Sequence, residues 1–240
     1  MDSLSIVIPA YNEERRLPQT LDRILEWVRR RGFGFCEVMV VDDGSRDQTA
    51  ALTEEYEKAH GCVRLLRNPG NRGKGYAVRH GMLEAKGEWI LYTDADLSAP
   101  IEEFDKLCRA AAASGAVVAV GSRAMDRSLV AVHQSPFREF SGRFFNLVMR
   151  LVTGLPFRDT QCGFKLFRAD AARQIFALQK QDGFSFDVED LLISKKLGLR
   201  AVEVPVRWAN VEGTKVQLSS GVQSFVDLVR IRMDHRGNGQ

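Results

Sequence analysis

Trp89-Ile90-Leu91-Tyr92-Thr93, closed by Asp94-Ala95-Asp96, is the stretch on which the fold turns. The five residues favour a strand and show no polar alternation, the pattern of a strand buried on both faces. Two carboxylates two residues apart then mark its carboxyl end. The same grammar recurs upstream. Leu4 to Ile8 is an apolar run closed by Pro9, with Glu13 beyond it, and Val38 to Val41 ends at Asp42-Asp43-Gly44-Ser45. Between these runs Leu17, Leu21, Ile24, Leu25 and Val28 recur at helical spacing, with Pro18 tolerated in the first turn. Further strands are expected at Val63–Leu66 and Ala116–Val120. Helices are expected through Leu52 and Tyr56, from Gly75 towards Gly87, and from Pro100 to Ser114. Continuous apolar strands alternating with helices predict an α/β fold, a mostly parallel sheet with helices on both faces. In such sheets ligands gather outside the carboxyl ends of the strands, where the three acidic clusters sit.

Past Arg123 the pattern changes. Phe137, Phe140, Phe144, Val148 and Leu151 recur at intervals of three and four, between Pro136 and the pair Gly154 and Pro156. A strand around Phe164–Phe167, a helix from Val188 to Leu197, a strand at Ala201–Val206 and an amphipathic helix near Val222–Arg232 follow, with frayed residues from Arg236 to Gln240. No linker separates independent domains, so residues 1–240 read as one domain, its pattern changing between a first half at 4–122 and a second at 123–235.

Composition excludes several classes. The 240 residues are 45% hydrophobic and 27% charged, ordinary for a globular chain and unlike a disordered one. A net charge of +3 is too small for a general nucleic-acid binder. The run between Arg109 and Arg123 is broken by Ser114 and Gly115, short of the ~20 apolar residues of a spanning helix. The amino terminus leads into a strand without the features of a signal peptide, which predicts a cytoplasmic chain. Cys36, Cys62, Cys108 and Cys162 form no CxxC pair, so reduced thiols are expected, with Cys162 as a small buried residue.

Asp94 and Asp96 can turn toward one ligand if the chain bends between them, and oxygen donors suit Mg²⁺ or Mn²⁺. A substrate diphosphate would complete the coordination; the alternative is a solvated turn capping a helix through Ser98. Asn71-Arg72-Gly73-Lys74-Gly75 suits a phosphate but matches neither a P-loop nor a dinucleotide fingerprint, and also reads as a flexible loop entering a helix.

Taken in order, Ile6-Val7-Ile8-Pro9-Ala10-Tyr11-Asn12-Glu13-Glu14, Val41-Asp42-Asp43-Gly44-Ser45, Asn71–Gly75 and Asp94-Ala95-Asp96 resemble the family 2 glycosyltransferases of GT-A fold. Asp159 to Phe167, Phe186-Asp187-Val188-Glu189, Glu203 to Trp208 and Gly213-Thr214-Lys215 look like the dolichyl-phosphate β-glucosyltransferases, relatives of dolichyl-phosphate mannose synthases. The resemblance runs from Leu4 to about Lys215. It implies a nucleotide-sugar donor, with UDP-glucose favoured, and a polyprenyl-phosphate acceptor. Pro9, Ala10, Tyr11 and Glu13 would then line the nucleoside pocket, with Val41 and Asp43 at the base. Lys74, Asp94 and Ala95 would approach the ribose and diphosphate, and Asp96 would bind the metal, Mg²⁺ or Mn²⁺. Arg123, Arg138 and Lys215 would serve the phosphates, and Glu189 is the candidate base or, alternatively, a helix-surface residue. Ala209, Asn210, Val211 and Glu212 stand where mannose synthases carry arginines, which counts against GDP-mannose.

Residues 123–150 carry five arginines and two acids beside the phenylalanine stripe. That combination reads either as an interfacial helix on anionic lipid or as a core helix with a basic solvent face. The lipid acceptor implies peripheral attachment at the cytoplasmic membrane face, direct or through a membrane-embedded partner protein. Two other functions stay open: transfer to a soluble saccharide or small hydroxyl acceptor, and a nucleotide-sugar-binding module without turnover.

Overall fold

In the computed structural model, which describes residues 1–132, 147–210 and 219–235, β1 (Ser3–Ala10) lies inside the sheet. Its Ile6 stands opposite Val38 of β2 (Phe35–Asp42) and Leu91 of β4 (Trp89–Thr93), both parallel to it. β3 (Val63–Arg67) extends the sheet beyond β2. On the other side β7 (Phe164–Arg168) runs antiparallel between β4 and β5 (Val118–Ser122), and β8 (Ala201–Pro205) closes the edge parallel to β5. The order is β3-β2-β1-β4-β7-β5-β8. A short parallel pair, β6 (Val130–Val132) with β9 (Trp208–Ala209), stands apart.

Successive strand residues face opposite sides of a sheet, and here both sides are dry. Ile6, Ile8, Val38 and Leu91 pack with α1 (Leu17–Arg31) and α4 (Phe104–Ser114) through Leu21, Ile24, Trp27, Phe104 and Leu107. Val7, Met39, Val41, Tyr92 and Phe167 face the other way. They meet α3 (Lys74–Glu84), α5 (147–153), α6 (Ala169–Leu178), α7 (Phe186–Lys196) and α8 (Ser219–Asp234). α2 (Thr49–Ala59) covers the β3 edge. The expected mostly parallel sheet with helices on both faces is therefore present.

Three local readings change. Pro100 opens a single 3-10 turn, Ile101–Glu103, in which Glu103 N–H donates to the Pro100 carbonyl at 3.0 Å, and α4 starts only at Phe104. The strand expected at Ala116–Val120 runs from Val118 to Ser122, because Ala116 N–H still closes α4 through the Ala111 carbonyl at 3.0 Å. α6 was not expected: its buried Ala171, Ala172, Ile175 and Phe176 make a short, alanine-rich stripe with no side-chain cap to announce it. The phenylalanines at 137, 140 and 144 and the tail from Arg236 lie outside the described residues. Of that stripe α5 carries Val148, half-buried, and Leu151, exposed. All four cysteines are free thiols, and burial pushes the Cys162 thiol up to about 12, as befits a small apolar side chain.

Candidate active site

The carboxyl ends of β1, β2 and β4 place their motifs side by side. Beyond β1, Asn12 takes a left-handed conformation (φ 53°), its N–H donating to Ser45 Oγ and its Oδ1 accepting from Arg46 N–H at 2.7 Å. This binds the turn after β1 to the turn after β2. Glu13, expected in the nucleoside pocket, is gripped by Arg16, whose Nε and Nη2 each donate to it at 2.8 Å. Pro9 and Tyr11 are half-buried beside it, while Ala10 and Val41 are buried at the strand ends.

Asp42 and Asp43 are both buried, and they do different things. Asp42 Oδ1 caps its own turn through Ser45 N–H. Asp43 reaches across to the glycine-rich loop: Oδ1 accepts from Asn68 Nδ2 (2.8 Å) and Arg72 N–H (3.0 Å), and Oδ2 from Gly73 N–H (2.8 Å). Asn68 is in turn held by His80 Nδ1 at 2.8 Å. Carboxylates accepting several backbone N–H groups order a loop strongly. So Asn71–Gly75 is a fixed wall of the site, and the flexible-loop alternative falls away.

Lys74 opens α3 and points its ammonium at Asp94 Oδ1, 2.8 Å away; the Tyr92 hydroxyl donates to the same oxygen at 2.9 Å. A Cβ on Gly163 would stand 2.0 Å from Asp94 Oδ2, so only glycine leaves room for this carboxylate. Thr20 Oγ1 of α1 donates to the Ala95 carbonyl and pins the turn, which Leu97 turns back in left-handed geometry (φ 46°). Asp96 is half-buried and bonded through Oδ1 to Ser98 N–H. Its Oδ2 has no protein partner among the described residues. That open oxygen is the donor a divalent cation needs. Among the described residues no three His, Cys, Asp or Glu side chains converge, so the remaining ligands would be substrate oxygens, the usual habit of Mg²⁺-type sites.

Arg123 lies just past β5 and grips the buried Asp159: Nε to Oδ2 at 2.6 Å, Nη2 to Oδ1 at 2.8 Å, with its own N–H also on Oδ2. Burial alone would raise the Asp159 carboxyl, but the guanidinium outweighs it and holds it below the usual carboxylate range. The reciprocal attraction raises Arg123 against its own desolvation. Nη1 has no partner among the described residues, so one edge of the guanidinium stays available.

Behind this edge lies a second, desolvated set of charges. Lys165 is fully buried, ion-paired to Asp187, and stacked under Tyr92 and Phe186 at 5.8 and 5.7 Å from the ring centroids. Burial lowers it to about 8. Asp190, 1% exposed, has no hydrogen-bond partner on either oxygen among the described residues, and burial raises it well above its ordinary value despite the neighbouring Lys165. Glu189 faces another way, into a closed nest where it accepts from Lys180 N–H, Gln181 N–H and, at 2.7 Å, His235 Nε2.

Residues 5–176 match the sequence profile of glycosyl transferase family 2. The chain belongs to that family. This family 2 glycosyltransferase is 40% identical over 224 residues to the dolichyl-phosphate β-glucosyltransferase of Drosophila melanogaster, covering 89% of this chain and 69% of that one. It is 36% identical to the enzyme of the same name from Homo sapiens, covering 96% and 75%. Among solved structures, mannosyl-3-phosphoglycerate synthase from Rubrobacter xylanophilus superposes with a TM-score of 0.72 at 18% identity, over 99% of this chain and 76% of that one. Glucosyl-3-phosphoglycerate synthase from Mycobacterium tuberculosis, in complex with Mn²⁺, UDP and glucosyl-3-phosphoglycerate, gives 0.68 at 20%, over 96% and 80%. These distant likenesses carry the fold.

Of the residues singled out from sequence, the glycosyltransferase brings Pro9, Ala10, Tyr11, Glu13, Val41, Asp43, Lys74, Asp94, Ala95 and Asp96 to adjoining strand ends and loops. Glu189 is 0% exposed and faces His235, not solvent as a helix-surface residue would. Arg138 and Lys215 lie outside the described residues. The sequence reading gave no role to Lys165, Asp187 and Asp190. The available signal was Phe186 to Lys196 itself, where Asp187, Glu189 and Asp190 share one short helix with nine buried residues.

Proposed function

We propose that this enzyme transfers glucose from UDP-glucose to a polyprenyl phosphate of dolichyl type, with inversion at the anomeric carbon. The observation that carries the reading is the half-open Asp96 carboxylate beside the Lys74–Asp94 pair at the strand ends. Support for glucose and the lipid acceptor comes from relatives named for that reaction, 32–40% identical over most of their length.

Pro9, Ala10, Tyr11 and Glu13 bind the nucleoside, with Val41 and Asp43 beneath it. Asp43 acts mainly by keeping the Asn71–Gly75 wall in place. Lys74 holds Asp94, and with Ala95 they orient the ribose and diphosphate. Asp96 would hold Mg²⁺ or Mn²⁺, a pairing of ion and nucleotide favoured by the M. tuberculosis structure with Mn²⁺ and UDP. Bound there, the cation would supply Lewis-acid stabilisation of the departing UDP. An acceptor phosphate oxygen attacks the anomeric carbon as the bond to the diphosphate oxygen breaks on the opposite face. A phosphate monoester is largely dianionic at pH 7, its second pKa being about 6, so no proton need be removed from the nucleophile. Glu189, closed off by His235, is then not needed as a base. The free edge of Arg123, together with Arg138 and Lys215, serves the acceptor and leaving-group phosphates.

A lipid acceptor places the reaction at a membrane surface, on our reading the cytoplasmic face. Among the described residues no helix is long and apolar enough to cross a membrane. Attachment is peripheral, or through a membrane-embedded partner. The test is UDP release from UDP-glucose with Mg²⁺ or Mn²⁺, with and without a short polyprenyl phosphate, with GDP-mannose as competing donor. Release from UDP-glucose that depends on the lipid phosphate supports the reading. Release without it, or faster release from GDP-mannose, contradicts acceptor or donor respectively.

A further inference from the structure

Just past β8, the residues Val206 to Ala209 are each tied to a different element. Val206 N–H donates to the Ser122 carbonyl of β5 at 3.2 Å. Arg207 N–H and Nε both donate to Glu103, a carboxylate 1% exposed that Lys106 also grips. Trp208 stands in register with Val130 of β6, and its half-buried ring packs on the core beneath. Ala209 N–H donates to the Ser98 carbonyl at 2.9 Å. Anchored at every residue, the segment is a strut along the site edge.

The strut spans two places that phosphate chemistry needs to keep together. At one end Ser98, held by Ala209, donates its own N–H to Asp96 Oδ1. At the other, Arg123 follows Ser122 and lays its guanidinium over the Trp208 ring, the central carbon 5.3 Å from the centroid. Arg123 is thus gripped by two different means. Asp159 takes Nε and Nη2 as a fork, which sets the direction of the guanidinium. The indole face attracts the cation and lies against its plane, which resists tilting out of that direction. An aliphatic side chain would fill the same core space but would exert no such pull. The arginine side chain is still 29% exposed, so the clamp leaves room for a ligand.

We infer that Trp208 is a positioning residue: with Asp159 it clamps the Arg123 guanidinium so that its open edge keeps a fixed place relative to the Asp96 turn, for an oxygen of a substrate phosphate. The inference rests on the phosphate role given to Arg123 in the transfer reading, and goes beyond it by naming what aims that arginine. Trp208 itself touches no substrate and acts through Arg123.

The test is a double-mutant cycle on the full chain, read as kcat/KM for a short polyprenyl phosphate with UDP-glucose and Mg²⁺, beside a thermal melt. Trp208→Leu should lower kcat/KM by about 10²-fold, the scale of a ~1 Å misplacement near the reacting atoms. Trp208→Met fills more of the indole's space and serves the same comparison if the leucine variant does not fold. Trp208→Phe keeps an aromatic face and should stay within about fivefold of the wild type. Arg123→Lys keeps a charge beside Asp159 but loses the planar fork, and should cost a factor like that of Trp208→Leu. Added to Arg123→Lys, Trp208→Leu should cost less than about threefold more, because the group it positions is already gone. Equal factors in the two backgrounds, Trp208→Phe as impaired as Trp208→Leu, or Trp208→Leu at the wild-type rate would each overturn the inference. Arg123→Lys at the wild-type rate would fault the phosphate role of Arg123 and overturn the inference with it. Calorimetric titration with UDP and Mg²⁺, and separately with the polyprenyl phosphate, repeats the cycle without turnover. A wild type that transfers nothing, yet shows the same non-additive loss of affinity for one of these ligands, would fault the transfer reading and leave Trp208 its role.

Discussion

The strand ends around Asp94 and the helix α7 behind them carry similar numbers of charges, and the fold treats them in opposite ways. At the edge, two carboxylates are held at one point and left open at another: Asp96 rests on Ser98 N–H through Oδ1 alone, and Asp94 shares Oδ1 with Lys74 and Tyr92. In α7 the carboxylates are committed to the core: Glu189 is saturated by three donors, Asp187 is ion-paired to Lys165, and Asp190 is sealed with no hydrogen-bond partner among the described residues. Half-satisfied groups at a solvent edge are ready for a ligand. Groups desolvated in a core are committed to the fold, because an incoming ligand would have to displace packing as well as water. On this contrast rests the assignment of chemistry to Asp96 and not to Glu189.

The largest expected effect is at the open edge. Asp96→Ala should lower turnover by about 10³-fold, the scale of removing a group that stabilises developing charge, while the melting temperature stays near the wild-type value. UDP release and a thermal melt on the same preparation check both halves. Gly163→Ala comes next. The new methyl would fall 2.0 Å from Asp94 Oδ2 and must turn that carboxylate aside, so turnover should fall with little change in stability, read by denaturant unfolding. An unchanged rate would mean that Asp94 need not stay where Lys74 holds it.

Glu189→Gln should reverse the pattern of Asp96. A neutral amide cannot reproduce a carboxylate that accepts from two backbone N–H groups and His235, so stability should fall by about 1–3 kcal/mol. Turnover per folded molecule should stay within a few-fold. A thousandfold loss of rate in a well-folded variant would return Glu189 to the role of base.

The smallest effect belongs to Asp190. Its native value is raised, so above about pH 4 the unfolded chain ionises while the native state keeps its proton. The native state then binds more protons, and this residue's contribution to stability falls as pH rises toward the native value. Asp190→Asn should flatten that slope and leave stability at pH 7 equal or slightly higher, measured by urea unfolding between pH 5 and 8. An unchanged slope would mean that Asp190 is ionised in the native state over this range.

The same contrast explains what could be read from the chain. Strands such as Leu4–Ile8 and Trp89–Thr93 announce themselves because both faces are buried, and their acidic ends follow from where the strands stop. The sheet and most of the carboxylate-lined edge were legible for that reason. Asp43 was legible as a strand-end carboxylate but its partners were not, since its bonds run to Arg72 and Gly73, 29 and 30 residues on. Sequence spacing says nothing about the Lys165–Asp187 pair either, where a β7 residue meets α7 across the sheet face. α6 stayed hidden because a short alanine-rich stripe without a cap gives weak periodicity. Glu189 read equally well as base or surface residue until His235, 46 residues away, was placed against it.

The central claim is that the half-open carboxylate edge carries glucosyl transfer to a lipid phosphate. Its most direct test follows glucose-labelled UDP-glucose with Mn²⁺ and a short polyprenyl phosphate, scoring label that becomes extractable into organic solvent. The account predicts transfer by the wild type and by Glu189→Gln, and transfer slower by about 10³-fold by Asp96→Ala. Label that stays in the aqueous phase with wild-type enzyme, or an Asp96→Ala variant that transfers normally, would contradict it.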